Sequence, residues 1–116
     1  MSRRTPRRFA RVQGRQVYNT RAYIILGSIA IAGYCLHAMF HVWRGAPENL
    51  LWVCALGAVV VGAGLIAGSR SVVGVGTIML CMGAPLWFFD LLRGSEFLPT
   101  SLGTHVIGLA IGLYGV

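Results

Sequence analysis

Residues 22–43 read AYIILGSIAIAGYCLHAMFHVW, twenty-two positions without a charged side chain. A helix rises about 1.5 Å per residue, so about 20 apolar residues cross the roughly 30 Å hydrocarbon core of a bilayer. The stretch therefore predicts a membrane-spanning helix. A basic segment precedes it, as in a secretory signal. The run is too long for a signal's apolar core and carries no convincing small-x-small cleavage site, so it is expected to stay in the membrane.

Three more apolar segments follow, at residues 50–68, 72–92 and 102–116. The first two are long enough to cross. The last has fifteen residues, about 22 Å of helix, and crosses where the bilayer thins or where its end stops among the headgroups. No segment shows the alternation of apolar and polar residues that a membrane barrel requires. The connections RGAPEN (44–49), GSRS (68–71) and RGSEFLPTS (93–101) are short and hold turn-forming Gly, Pro and Ser, and short connections make neighbouring helices antiparallel. The predicted fold is an all-α membrane protein, an up-down bundle of four transmembrane helices with a basic N-terminal arm over residues 1–21. Composition points the same way: of 116 residues, 56% are hydrophobic and 11% charged, whereas a soluble domain is about a quarter charged. That excludes a disordered chain, a disulfide scaffold and an ordinary soluble enzyme. Cys35, Cys54 and Cys81 each lie inside an apolar run and read as small buried hydrophobes.

The ionisable residues are ten Arg, no Lys and three acids, Glu48, Asp90 and Glu96, besides three His. With the N-terminus inside, the cytoplasmic segments carry the seven Arg of the arm plus Arg70, and the outer connections carry Arg44 and Arg93. Eight against two predicts both termini in the cytoplasm. Arg without Lys fits GC-rich coding, and with it a multi-pass protein of a bacterial inner membrane. At about 100° per residue, Arg7, Arg8, Arg11 and Arg15 share one quadrant of a helical projection. With Arg3 and Arg4 they are expected to touch anionic lipid headgroups, each contributing about 1 kcal/mol near the surface, or an acidic face of a partner subunit. Nucleic acid is not expected, since no recognition motif accompanies the charge.

His37, His41, Asp90 and His105 are the ionisable residues inside the apolar segments, and in a membrane such residues are functional candidates by default. His37 and His41 stand one helical turn apart and continue a stripe of Tyr23, Gly27, Ala30 and Tyr34. This small, polar seam suits another helix, while Ile25, Ile29, Ala32 and Leu36 opposite suit lipid. The antiparallel topology brings all four ionisable residues within a turn or two of the outer membrane face, where Trp43, Trp52 and Trp87 mark an aromatic belt. A structural hydrogen-bond network is expected there first, with an Asp90–His105 bond tying the third segment to the fourth. The imidazoles of His37, His41 and His105 are also of the type that ligates haem or bacteriochlorophyll, that binds Zn, Cu or Fe, or that relays protons. Glycine at high density in segments two to four predicts close helix packing, and Pro85 predicts a kink in the third.

No nucleophile elbow, paired-cysteine motif, phosphate loop or HExxH helix occurs, so no catalytic residue and no dedicated metal site is assigned. The first functional reading is a noncatalytic accessory subunit. It packs on other membrane protein subunits of a larger complex, respiratory or photosynthetic, and is pinned by its arm. The second is a redox or pigment protein binding haem, chlorophyll or a metal through His37, His41 or His105. The third is a small membrane enzyme or proton conductor built on Asp90 and His105.

Overall fold

The computed structural model describes residues 20–94 and 99–116. The arm through residue 19, with the six arginines assigned to lipid or partner contact, lies outside them, as does Glu96. The described residues form helices joined by short connections, with no strand among them.

Helix α1 spans Thr20–Trp43, 24 residues, and its inward and outward faces are those expected. Gly27, Ala30, His37 and His41 are buried, whereas Ile25, Ile29 and Leu36 are exposed. Helix α2, Val53–Ala67, begins later than the apolar run that contains it. Pro47 starts a 3-10 turn over Pro47–Leu51, and Trp52 is extended (φ −63°, ψ 134°), so Leu50, Leu51 and Trp52 are spent on the connection. At 15 residues α2 is about 22 Å long. It ends on Gly68 in the left-handed region, φ 66°, which lets the amides of Gly68 and Ser69 turn back onto the carbonyls of Leu65 and Gly64. Helix α3, Arg70–Leu92, follows at once. The polar turn expected over 68–71 is therefore half absorbed into α3, and α2 and α3 are antiparallel. Helix α3 continues through Pro85 to its end.

The fourth rod starts three residues earlier than the apolar run suggested, because Pro99 supplies the fixed φ that suits a first helical position. It comprises α4 (Pro99–Leu102), a π turn (Gly103–Ile107) and α5 (Gly108–Gly115), about 25 Å in all. The architecture is a four-rod helical bundle in which α1 and α3 are long and apolar enough to cross a membrane.

Helix α2 packs between α1 and α3, whose backbones do not approach each other closely, and the fourth rod packs against all three. Glycine sets these distances. A Cβ added at Gly27 would lie 2.7 Å from the carbonyl oxygen of Gly62, and one at Gly62 would lie 2.7 Å from that of Gly27. Across the other face of α2, a Cβ at Gly76 would lie 2.6 Å from the amide nitrogen of Val61. The core so closed is apolar: Ala30, Ala58, Val61, Leu65, Val73, Leu80 and Ile111. Of the cysteines, Cys54 is buried but Cys35 and Cys81 are exposed, and all three are free. The expectation of three buried thiols is corrected at two positions, each one place off its helix's inward stripe.

Candidate functional site

The inward polar side chains gather at one end of the bundle, where α1 and α3 finish and α2 and the fourth rod begin. His37 and His41 come from the last turns of α1, Trp87 from α3, and Thr100, Ser101, Thr104 and His105 from the start of the rod. Thr77 is the exception among the buried polar residues, and its hydroxyl is used locally, donating to the Val73 carbonyl at 2.8 Å.

The one-turn spacing of His37 and His41 puts their rings edge to face, centroids 4.4 Å apart at 83°. Nδ1 of His37 lies 3.1 Å from the hydroxyl of Thr100, which links α1 to the rod.

His105 sits in the π turn, where the amide ladder reaches back five residues and Gly108 donates to the carbonyl of Gly103. Side chains engage the carbonyls just upstream: the Thr104 hydroxyl donates to that of Thr100 at 3.0 Å, and Nδ1 of His105 to that of Ser101 at 2.7 Å. A carbonyl only accepts, so Nδ1 carries the proton and Nε2 of the neutral ring keeps its lone pair. His105 is 3% exposed, and its Nε2 is buried without a hydrogen-bond partner among the described residues. An acceptor left so costs about 1–3 kcal/mol. The Trp87 ring stacks on the imidazole, centroids 4.7 Å apart and planes 11° from parallel.

The expected Asp90–His105 bond is not formed. The inward stripe of α3 runs through Leu80, Gly83, Trp87 and Leu91, and Asp90, one position short of it, is exposed. Arg44, Glu48 and Arg93, the other charged residues described at this end, are exposed too. The three candidate ligands His37, His41 and His105 thus lie buried at the same end of the bundle, whereas the carboxylate is left outside. Among the described residues no group of three or more His, Cys, Asp or Glu is placed to hold a metal ion.

The sequence reading missed the contribution of Thr100, Ser101 and Thr104, and took Trp87 for belt alone. The signal was present in PTSLGTH, residues 99–105: a proline that starts a helix, then hydroxyl residues five, four and one positions before the histidine.

No protein-family model, curated protein or solved structure matches this chain. Its chemistry is therefore read from its own geometry. The cluster offers a fixed lone pair, two further imidazoles and a hydroxyl in an uncharged enclosure.

Proposed function

We propose that the chain is a small integral protein of a bacterial inner membrane, with four crossings and both termini cytoplasmic, that serves as an accessory subunit on a larger membrane assembly. The observation that carries this reading is the inverted distribution of polarity. His37, His41, Thr77, Ser101, Thr104 and His105 are buried, while Ile25, Ile29, Met39, Val75, Ile78, Met82, Leu86 and Leu113 are exposed. Water would oppose that arrangement, since large contiguous apolar surface in a soluble chain associates or aggregates. Lipid or a lipid-embedded subunit favours it, because helices there meet through small and polar residues. The two short rods, α2 and the fourth, are accommodated by local thinning or by ending among the headgroups. An accessory role is preferred to a carrier because the buried polar side chains, Thr77 apart, gather at one end of the bundle. Among the described residues the core beneath it holds no buried ionisable side chain, unlike the midplane polar sites that transporters use.

Native membranes solubilised in mild detergent, followed by affinity capture of the tagged chain, test the role. The chain is expected to elute in fixed stoichiometry with a larger assembly. Elution as a lone monodisperse species from native membranes would contradict an accessory subunit.

A further inference from the structure

We propose that the buried polar cluster around His105 binds an uncharged hydroxyl donor, a phenol, hydroquinone or alcohol dissolved in the membrane, whose O–H donates to Nε2 of His105. The proposal does not depend on the accessory role. Three independent features place the accepting atom. The Ser101 carbonyl at 2.7 Å fixes the proton of the neutral ring on Nδ1, so Nε2 of that form is an acceptor. His105 lies within a π turn, a feature frequent at functional sites, and its ring is 3% exposed. Nε2 itself, though buried, has no partner among the described residues.

The surroundings select the ligand class. No charged side chain described at this end points inward, so an ion is disfavoured. A multidentate metal is disfavoured because no group of three ligating residues is placed for it among the described residues. His37 and the Thr100 hydroxyl, 3.1 Å apart, offer a second polar contact to a ligand with another oxygen. Trp87 is half-buried and stacks on the imidazole, so a ligand that reaches the ring alters its surroundings.

Trp87 also supplies the readout. The chain has three tryptophans, and Trp43 and Trp52 are 80% and 43% exposed, so replacing both with Phe leaves Trp87 as a single reporter. In phosphatidylcholine nanodiscs this variant is titrated with a short-chain alkyl hydroquinone, with its dimethyl ether, and with a 1-alkanol of similar size. Nitrogen-15 spectra of labelled histidine are recorded alongside. Saturable change in Trp87 emission with the hydroquinone or the alkanol is expected, together with a shift of the His105 Nε2 resonance towards a hydrogen-bonded acceptor while Nδ1 stays protonated. Which of the two probes binds tells phenolic from aliphatic hydroxyl. The ether, which cannot donate, is expected to bind about tenfold or more weakly, and so is the hydroquinone to His105→Phe, which keeps a ring for Trp87 but no acceptor. Equal binding of the ether, absence of any saturable response, or a direct shift of Nε2 by Zn2+ alone would overturn the proposal, and the ether comparison needs no change at His105.

Discussion

Replacing Gly76 with leucine is expected to cost the bundle about 3 kcal/mol or more, the upper range for overpacking a closed interface, or to prevent its assembly. A Cβ at this position meets backbone, the amide nitrogen of Val61 at 2.6 Å and the carbonyl oxygen of Gly57 at 2.9 Å, and backbone cannot rotate out of the way as a side-chain tip can. The helices must separate instead, which opens α2 from α3 along the contact that buries Val61, Val73 and Leu80. Gly74, two residues earlier in the same helix, is the internal control. Nothing lies within 4 Å of a Cβ added there, so Gly74→Ala is expected to be neutral or to stabilise by about 0.5–1 kcal/mol through lost backbone freedom in the unfolded chain. Reversible unfolding of both variants in mixed micelles checks the pair. Similar midpoints for the two would mean that close packing at Gly76 does not set the α2–α3 distance.

Neutralising Arg3, Arg4, Arg7, Arg8, Arg11 and Arg15 together, each to Gln, is expected to destroy the uniform orientation of the chain. With the N-terminus inside, as proposed, the eight-to-two excess of arginine on the cytoplasmic side falls to Arg21 and Arg70 against Arg44 and Arg93, two against two, and the rule that sets orientation has nothing left to act on. Reporter fusions at the C-terminus, one active only in the cytoplasm and one only outside it, should change from a single signal to a mixture. An unchanged single signal would place the orienting information in the helices themselves or in a partner.

Much of the fold follows from hydrophobic length and period alone. The stripe Gly27, Ala30, His37 and His41 is buried as its spacing requires, because in a uniformly apolar helix the small and polar residues are the ones with a reason to face another helix. Hydropathy does not reveal where apolar residues stop being helical. Leu50, Leu51 and Trp52 are as apolar as α2 itself, yet Pro47 and an extended Trp52 give them to the connection. The site shows the same division. Its histidines are visible as ionisable residues in apolar runs, but Asp90 misleads because a carboxylate near a histidine invites pairing, and a difference of one position on α3 turns it outward. The partners actually used, the carbonyl of Ser101 and the ring of Trp87, depend on the π turn, and no spacing rule forecasts a ladder that slips by one residue.

The inverted distribution of polarity is tested most directly by spin labelling along α3. With Cys35, Cys54 and Cys81 first replaced by alanine, single cysteines at positions 75, 77, 78, 80, 82 and 86 carry a nitroxide in turn, and its collisions with dissolved oxygen and with a water-soluble nickel chelate are measured in bilayers. Val75, Ile78, Met82 and Leu86 are 55%, 62%, 68% and 64% exposed, whereas Thr77 and Leu80 are buried at 6% and 0%. Labels at the four exposed positions should meet oxygen freely and the nickel chelate hardly at all, and labels at 77 and 80 should meet neither. High nickel accessibility at 75, 78, 82 and 86 would put the apolar face in water and contradict the membrane bundle.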